Sequence, residues 1–439
     1  MYDRSRRREL GAALAAAFLA GRWTEDALVR SGADVVAPRP RWLRRLAREV
    51  LAAYHRPPAD RPRELAAYVE LVLDELPGRG APPRVRRWRD FEPAMAPAPW
   101  PVPAIASPGA LADRLALTHG QLAWLADARG LERSVADPRL RHYTYAWRPR
   151  AGAPPRPIAR PKQRLKAIQR WILHEILDRI PAHDAAHGFV RGRSARTHAA
   201  LHVGQATVVR LDLEDFFTSV SAARAYGIFR TAGYPEAVAH TLTALCVTVV
   251  PLAEWHAVPR PRDPALVGRH HRLGRRLATP HLPQGAPTSP ALASLAATGL
   301  DRRLAALAPT LAARYSRYAD DLTFSGGVGL PAGTLRRVVG EIARDEGFRV
   351  APEKTRVRRR NDRQLVCGVV VNERLNVPRR EYDRLKAILH DGASNGAAAA
   401  NREGVPDLRA HLLGRIAWVG SLHPERGRRL RERLDAIAW

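Results

Sequence analysis

The sequence predicts an α+β protein of more than one domain, and three observations support this prediction. Apolar residues recur at the period of amphipathic helices in residues 42–54 and 65–76. Short β-prone segments, among them residues 207–212 and 314–325, are typical of strands. The chain of 439 residues also exceeds the size at which a single hydrophobic core is usual.

Positive charge dominates the composition. The chain carries 72 Lys and Arg against 43 Asp and Glu, which gives a formal net charge of +29 and a pI of about 11.4. Abundant Ala and Pro indicate a compositional bias of the source, which explains the preference for Arg over Lys but not the excess of positive charge. We therefore expect a polyanionic partner, and nucleic acid in particular. Only four of the basic residues are lysines: Lys162, Lys166, Lys354 and Lys386.

The cysteine content and the N-terminus bear on the location of the protein. Cys246 and Cys367 are too few for a disulfide framework, and no Cys/His cluster has zinc-binding spacing, so a reducing, cytoplasmic setting is expected. The apolar run near the N-terminus is interpreted as an amphipathic helix. A signal peptide fits less well because Glu9 lies at the start of the run and Phe18 stands where cleavage needs a small residue. No stretch reaches bilayer-spanning length, and no membrane partner is expected.

Residues 1–76 are predicted to form a helical N-terminal extension. Asp60 is the expected N-cap of its last helix, with Pro62 in the first turn. Residues 77–106, rich in Pro and Arg, are predicted to be a stiff, extended linker or surface strap. Ser107, which precedes a proline, is expected to cap the next helix.

Three aspartates follow strand-like segments. Residues 207–212 predict a buried strand that ends at Asp212, and residues 314–325 predict a hairpin with Asp320 and Asp321 at its tip. A polar hairpin tip is the alternative, because Asp is a common turn residue. Antiparallel central strands can bring the three carboxylates together. That arrangement can hold two Mg²⁺ ions, about 3.5–4 Å apart, for phosphoryl transfer.

Three further segments carry groups that suit a nucleotide. Residues 148–158 alternate Arg with Pro and Gly, which fits phosphate binding and a solvated loop equally well. Gln284 and Gly285 precede a predicted helix and suit the positioning of a base pair, although an ordinary helix-start loop is the alternative. Lys354 suits a proton donor or charge clamp for pyrophosphate, or is a surface lysine. Residues 365–372 predict an apolar strand, whose pairing Asn376 resumes after a turn.

In order and spacing, these segments resemble the reverse transcriptases, and specifically the bacterial retron type. Residues 212–217 are similar to the family's first catalytic-acid segment, and residues 282–290 to its Leu-Pro-Gln-Gly segment. Residues 318–321 are similar to its Tyr-Ala-Asp-Asp box. Lys354 and residues 366–368 match the two later palm segments.

The resemblance covers residues 107–439 and implies a right-hand polymerase. Fingers and palm would occupy residues 107–372, the palm being an antiparallel sheet with helices, and a basic insertion would lie at about residues 250–278. A short helical thumb would occupy residues 373–439. About 70 residues follow the last palm segment, which suits a retron thumb and is too short for the added domains of group II intron enzymes.

The resemblance also implies roles for individual residues. Asp212, Asp320 and Asp321 would be the catalytic, metal-binding carboxylates of two Mg²⁺ ions, and the Leu213 carbonyl would be a further ligand. Phe217 would be the steric gate that clashes with a ribose 2′-hydroxyl and so selects dNTPs. The other implied roles are nucleotide binding by Arg150, Arg156, Gln284, Gly285 and Lys354, and primer-grip or RNA contact by Tyr318, Cys367, Gly368, His202 and Arg415.

The implied activity is RNA-directed DNA synthesis on a structured non-coding RNA. Priming from the 2′-hydroxyl of an internal guanosine would give a branched, RNA-linked DNA, or msDNA. An effector protein and a role in antiphage defence are further implications. Two alternatives stay open: another bacterial reverse transcriptase, diversity-generating or unaffiliated, and a non-catalytic RNA-binding scaffold. His198 and Cys367 stand where retron enzymes usually carry Asn and Thr.

Overall fold

The structure is a computed structural model, and its described residues are 2–36, 40–75, 83–150 and 152–439. Leu76 of the predicted last helix, the first part of the predicted linker and Ala151 of the basic segment lie outside the described residues. The chain divides into two compact units: Met1–Ile180 with Val220–Ser289, and Pro181–Ser219 with Pro290–Trp439. This division differs from the domain boundaries predicted at residues 76, 106 and 372, which stay predictions.

Helices occur in both units. Within the described ranges, no helix combines the length and apolar composition that a bilayer-spanning segment needs. In chain order the helices are α1 (Tyr2–Leu19), α2 (Glu25–Val35), α3 (Leu43–Ala53), α4 (Pro62–Glu75), α5 (Pro108–Arg114), α6 (His119–Leu125), α7 (Gln163–Glu175), α8 (Ala195–Ala200), α9 (Ala222–Thr231), α10 (Glu236–Cys246), α11 (Leu252–His256), α12 (Pro264–Leu277), α13 (Ser289–Ala296), α14 (Thr298–Thr310), α15 (Ala332–Asp345), α16 (Arg379–Asn395), α17 (Ala397–Ala400), α18 (Leu408–Leu422) and α19 (Pro424–Asp435).

The strands form antiparallel sheets, so the predicted mixture of helices and antiparallel strands is confirmed. In chain order they are β1 (Tyr143–Arg150), β2 (Ala153–Pro161), β3 (Thr207–Leu213), β4 (Ala313–Tyr318), β5 (Asp321–Gly326), β6 (Val350–Arg359), β7 (Leu365–Val366) and β8 (Val369–Val370). The first unit holds the two-stranded sheet β1-β2. The second unit holds the four-stranded sheet, in the order β4-β5-β3-β6, and the small β7-β8 pair.

Helices α1 to α4 pack around one hydrophobic core in the first unit. The predicted N-terminal helix is α1, and its second half is buried on nearly all sides, because the other three helices contribute apolar side chains around it. Leu14 and Phe18 of α1 are fully buried, together with Leu46 of α3 and Val69 of α4. The extension therefore has a core of its own, and within α1 the residues described as exposed are Ser5, Arg6, Arg8 and Glu9.

The predicted cap of α4 is wrong. The carboxylate of Glu236, on α10, accepts hydrogen bonds from the backbone N–H groups of Arg63 (2.8 Å) and Glu64 (3.2 Å) in the first turn of α4. Asp60 instead accepts at its carbonyl oxygen from the Glu236 N–H (3.1 Å) and forms an ion pair with Arg230 (2.7 Å). Orphan N–H groups at a helix start need an acceptor. Here Glu236, at the start of α10, accepts from N–H groups of α4, and Asp60, just before α4, accepts from an N–H group of α10.

Strand β3 lies in the middle of the second unit's four-stranded sheet. Val209 pairs with Phe324 of β5 on one side and with Val357 of β6 on the other. Val209 and Leu211 are fully buried, as the run of β-prone residues predicted. Because β3 pairs along its length, its register fixes where Asp212 emerges.

Residues 365–372 form a hairpin rather than the predicted single strand. Cys367 and Gly368 have φ angles of 47° and 80° and make the turn between β7 and β8. Positive φ at both central residues is typical of a tight hairpin turn that matches the strand twist. The pairing predicted for Asn376 is confirmed, because it exchanges two backbone hydrogen bonds with Val370, of 2.8 and 3.1 Å.

The C-terminal segment is helical, as predicted. Helices α16, α18 and α19 bury Leu385, Ile416 and Leu430 in a core that also includes Val366 of β7. Helices α18 and α19 approach closely where Gly420 faces Gly427, since a Cβ added to Gly427 would lie 2.3 Å from the Gly420 Cα.

Candidate active site

The structure brings the three predicted carboxylates to one end of the four-stranded sheet. Asp212 of β3 is the direct register partner of Asp321 of β5. Ala319 and Asp320 form the turn between β4 and β5, and the Asp320 carbonyl oxygen accepts a hydrogen bond from the Leu213 N–H (2.8 Å). The separation of these residues in sequence is therefore closed by strand pairing, as predicted.

Two basic side chains contact the carboxylates. Lys354 of β6 donates from Nζ to Asp212 Oδ1 (2.6 Å). Arg210 of β3 donates from Nε to Asp321 Oδ1 (3.3 Å), and its Nη2 pairs with the other carboxylate oxygen. The Cys367 thiol lies 3.9 Å from Asp321 Oδ2. Lys354 and Cys367, from the two segments that resemble later palm segments, thus lie beside the acids within one unit.

Burial and mutual repulsion shift the titration of this cluster. Burial raises the pKa of Asp320, and the Asp212 carboxylate raises it further. Burial also raises the pKa of Asp321, against the opposing effect of the Arg210 guanidinium. Burial raises the pKa of the neighbouring Cys367 thiol to about 12, so the thiol is neutral near neutral pH. The carboxylates are therefore in an environment that favours a closely bound cation.

The donor set fits a hard divalent cation. Carboxylate and carbonyl oxygens are the ligands that Mg²⁺ prefers, and Asp212, Asp320 and Asp321 supply them at one edge of the sheet. In the part of the chain that the structure describes, no three His, Cys, Asp or Glu side chains already converge on a common metal position. Asp212 and Asp321 instead form ion pairs with Lys354 and Arg210. Binding of a metal would exchange these contacts for the ion.

An aromatic cluster surrounds the predicted steric gate. The Phe217 ring lies 5.8 Å from the ring of buried Phe216 and 6.1 Å from that of Phe189, centroid to centroid. Phe216 in turn contacts Phe348, at 5.7 Å. Phe189 was not among the predicted site residues, so this contact was missed. A large apolar residue next to a glycine in a basic loop was the available signal.

The backbone around the acidic turn is tightly constrained. Ala319 has a φ of 55°, a left-handed conformation that a residue with a side chain rarely adopts. Residues 185–187 run alongside β4, and Arg317 exchanges backbone hydrogen bonds of 2.7 Å with Ala185 and His187. A Cβ added to Gly188 would lie 2.4 Å from the Ala319 nitrogen. A glycine is therefore required behind the turn.

The predicted RNA contact at His202 does not fit the structure. His202 is fully buried and shares hydrogen bonds with Ser325 (2.7 Å) and Ser316 (2.8 Å). Ser316 also contacts His198 (2.7 Å), whose other ring nitrogen lies 3.3 Å from the Thr323 hydroxyl. Burial lowers the pKa of His202 to about 3 and that of His198 to about 2, so both are neutral. These histidines pack behind the sheet and cross-link its strands.

The predicted nucleotide-binding residues Arg150, Arg156, Gln284 and Gly285 belong to the first unit. Arg150 lies at the end of β1 and donates from Nε to the Pro154 carbonyl oxygen (2.8 Å), while Arg156 pairs across the hairpin with Arg148. The Gln284 carbonyl oxygen accepts from the Ala159 N–H of β2 (2.9 Å).

Gly285, with a φ of 130°, lets this loop approach β2. A Cβ at this position would lie 2.9 Å from the Ala159 carbonyl oxygen. The two predicted nucleotide-binding segments are thus neighbours, and backbone contacts hold them together.

The remaining predicted contact residues lie in the second unit. Tyr318 is half-buried, 6.0 Å from the His198 ring, and Gly368 is exposed in the β7-β8 turn. Arg415 of α18 lines a cavity of about 280 Å³ between α16 and α18, whose lining includes Arg384, Ile388 and His411. No single site in this unit brings Arg415 and the carboxylates together among the contacts of the described residues.

Comparison with known proteins adds family information to this geometry. Residues 149–375 match the family described as reverse transcriptase (RNA-dependent DNA polymerase). The chain is 42% identical to the retron Mx65 reverse transcriptase of Myxococcus xanthus over 295 residues, 67% of this chain and 65% of that protein. It is 37% identical to the retron Mx162 reverse transcriptase of the same organism over 335 residues, 73% of this chain and 64% of that protein.

A more distant relative is the retron Ec86 reverse transcriptase of Escherichia coli. It is 30% identical over 236 residues, which cover 54% of this chain and 64% of that protein. The chain therefore spans just under two thirds of the length of these three relatives.

Proposed function

Since this chain belongs to the reverse transcriptase family and is of the bacterial retron type, we propose that it is an RNA-directed DNA polymerase. The observation that carries the proposal is the pairing of Asp212 with Asp321 beside the Asp320 turn. Three oxygen-donor side chains at the end of a sheet suit nucleotidyl transfer, in which charge stabilisation and positioning supply most of the catalysis.

Asp212, Asp320 and Asp321 would hold the divalent ions, two Mg²⁺ in this proposal, with the Leu213 carbonyl as a further ligand. When bound, the ions supply positive charge that activates the primer hydroxyl and stabilises the departing pyrophosphate. The carboxylates fix the place of that charge, because their strands are paired in register. Lys354, which contacts Asp212, is positioned to give a proton to pyrophosphate or to neutralise its charge.

In this proposal, substrate selection depends on side chains from each of the two units. Phe217 excludes the ribose 2′-hydroxyl, and its aromatic neighbours keep the ring in place. Arg150 and Arg156 bind the triphosphate of the dNTP, for which guanidinium groups are well suited. Gln284 and Gly285 shape the base-pair pocket, and Cys367 and Gly368 contact the primer.

The template in this proposal is a structured non-coding RNA, and the product is a branched, RNA-linked DNA. The strongly basic composition and the similarity to retron reverse transcriptases support this assignment. Arg415 and other thumb arginines would contact RNA phosphates. A cytoplasmic location, an effector protein and an antiphage role complete the proposal.

Primer extension on an RNA template with Mg²⁺ and dNTPs tests the catalytic part of the proposal. We expect Asp320→Asn and Asp321→Asn each to lower incorporation by at least about 1,000-fold, because charge stabilisation of the transition state is lost. Asp345→Asn, which removes an exposed carboxylate paired with Arg303, is the matched control and should retain activity. Incorporation by the Asp320→Asn protein equal to that of the wild type would contradict the proposal and favour a non-catalytic RNA-binding scaffold.

Isolation of the nucleic acid bound to the protein in its host tests the retron part. We expect one short structured RNA joined to DNA through a 2′,5′ linkage that a debranching enzyme cleaves. Unbranched DNA copies of varied RNAs would instead assign the chain to another class of bacterial reverse transcriptase.

A further inference from the structure

Arg317 and Asp301 form an ion pair with no solvent exposure. Both side chains are 0% exposed, and the guanidinium donates from Nε to Asp301 Oδ1 (2.8 Å) and from Nη2 to Asp301 Oδ2 (2.6 Å). Desolvation of two charges offsets most of the attraction between them, so a buried pair is weak evidence for stability. An apolar pair of similar volume would serve a purely structural purpose as well.

The other contacts of the guanidinium point to a more specific purpose. Arg317 Nη1 donates to the carbonyl oxygen of Ala319 (3.0 Å), the residue with positive φ that immediately precedes Asp320. Nη2 also lies 3.3 Å from the Ser294 carbonyl oxygen. Tyr315 donates to Asp301 Oδ1 (2.8 Å), the oxygen that also accepts from Arg317 Nε. Each polar group of the network has a partner, which fixes the position of the guanidinium.

The same guanidinium also contacts the aromatic cluster. Its Cζ atom lies 5.8 Å from the ring centroid of Phe216, within the range of a cation–π contact. Phe216 precedes Phe217 and its ring contacts the Phe217 ring at 5.8 Å. One buried side chain therefore contacts both the acidic turn and the support of the gate.

We propose that Arg317 is a positioning residue that sets the acidic turn relative to the Phe217 ring, and so controls discrimination between dNTPs and rNTPs. This inference rests on the proposed roles of Asp320, Asp321 and Phe217. A planar guanidinium can reach the Asp301 carboxylate, the Ala319 carbonyl and the Phe216 ring at once, whereas the ammonium of Lys cannot. Loss of the guanidinium frees the turn and the aromatic cluster to shift independently.

The first test replaces the whole polar network with apolar residues. In the triple variant Arg317→Met, Asp301→Leu, Tyr315→Phe, no buried charge of the network is left unpaired, so the fold should be kept. We expect the thermal midpoint to remain within about 5 °C of the wild type. Arg303→Met, which removes an ion pair of the same helix α14 with Asp345 and Glu346, is the matched control.

Two readouts separate positioning from folding. One is the ratio of kcat/KM for a dNTP to that for the matching rNTP, which does not depend on the fraction of active protein. The other is Mn²⁺ affinity, measured by electron paramagnetic resonance without turnover. We expect both to fall about 10-fold in the triple variant, because a displacement of about 1 Å is enough to weaken such a site. Arg303→Met should keep both at the wild-type level.

A folded triple variant with an unchanged nucleotide ratio and unchanged Mn²⁺ affinity would overturn the inference. If the triple variant does not fold, Arg317→Lys is tested in its place. The ratio of kcat/KM for the dNTP to that for the rNTP, measured on the active fraction of this variant, then decides whether the inference holds. Failure of the wild type itself to incorporate dNTPs would overturn the proposed function and the inference with it. Normal wild-type incorporation with an unchanged ratio in the variant would overturn the inference alone.

Discussion

Two hairpins each carry a pair of charged residues assigned to the reaction, and they are built differently. The acidic hairpin, β4-β5, lies within a four-stranded sheet, and every residue of β5 is buried. The basic hairpin, β1-β2, forms a sheet of two strands, and β1 alternates buried or half-buried residues with exposed ones. The acidic turn is fixed by backbone and side-chain contacts, whereas the exposed arginine Arg148 extends from its hairpin into solvent.

The difference follows from what each hairpin is proposed to bind. Carboxylates that hold a metal need their positions fixed to within about 0.5 Å. Long guanidinium side chains can adjust to a phosphate after the backbone is in place. Substitutions should therefore have large effects in the acidic hairpin and smaller ones in the basic hairpin, and four experiments test this comparison.

The largest effect is expected for Gly188→Ala. The new Cβ would lie 2.4 Å from the Ala319 nitrogen, a backbone atom that cannot rotate away. We expect kcat to fall about 100-fold, because the acidic turn must move by a fraction of an ångström or more. Steady-state primer extension measures this loss.

Gly152→Ala is the matched control in the basic hairpin. Nothing lies within 4 Å of its added Cβ. The cost is therefore the strain of holding a residue with a side chain at a φ of 64°, about 1 kcal/mol of stability. Its kcat should stay within about threefold of wild type. An equal loss of kcat in Gly188→Ala and Gly152→Ala would show that the acidic hairpin is no more sensitive to substitution than the basic one.

The next largest effect is expected for Arg156→Ala. Removal of one charged donor to the triphosphate should raise KM for dNTP about 10-fold while kcat changes by less than about threefold. The increase should shrink at high salt, because an exposed charge contact is screened. A fall in kcat with KM unchanged would show that Arg156 acts in the chemical step, as the acids do.

A smaller effect concerns pH and the histidines behind the acidic hairpin. His202 is neutral in the fold, with a pKa of about 3, and regains its ordinary pKa on unfolding. The unfolded chain thus binds an extra proton below about pH 6.5, so stability falls as pH falls from there towards about 3. Between about pH 7.5 and 5.5 each such histidine should cost about 1 kcal/mol.

Urea unfolding of wild type and His202→Asn at several pH values measures this contribution. We expect the difference between the two proteins to narrow on acidification by about 1 kcal/mol at pH 5.5. A constant difference across that range would mean that His202 keeps its ordinary pKa in the fold.

The smallest effect is expected for Arg150→Lys in the basic hairpin. The charge is kept, and the hydrogen bond from Nε to the Pro154 carbonyl oxygen is lost. KM for dNTP should therefore change by less than about threefold. The same substitution at Arg317 is expected to lower nucleotide discrimination about 10-fold, because that guanidinium has several fixed partners. If Arg150→Lys changed KM for dNTP by about as much as Arg317→Lys lowers nucleotide discrimination, the two hairpins would not differ as proposed.

The sequence predicted local features of the fold well. A run of β-prone residues that ends in Asp212, and a pair of aspartates between two such runs, were enough to predict β3 and the β4-β5 hairpin. Ser107 caps α5 as predicted, through a hydrogen bond of 3.1 Å to the Ala110 N–H. Each of these features depends on residues that are close in sequence.

Apart from the pairing of Asp212 with Asp321, features that depend on distant residues were not predicted. Nothing near Arg317 in the sequence indicates that Asp301 is its partner, since basic residues abound throughout the chain. His202 was expected at the surface, but two serines on neighbouring strands satisfy its ring nitrogens and make burial tolerable. The turn at Cys367 was also missed, and a single strand was predicted there. The reason is that a residue other than Gly or Asn rarely takes the positive φ that begins such a turn.

The exchange of caps between α4 and α10 has a consequence for biosynthesis. Arg63 leaves the ribosome 173 residues before Glu236, the acceptor of its N–H group. At about 5–20 residues per second, the start of α4 waits roughly 10–30 s for this acceptor. The helical extension can collapse around its own apolar core during that time, but two N–H groups in the first turn of α4 gain their acceptor only when Glu236 has been translated. A ribosome that stalls before Glu236 would therefore hold a nascent chain whose N-terminal helices are formed but not yet anchored.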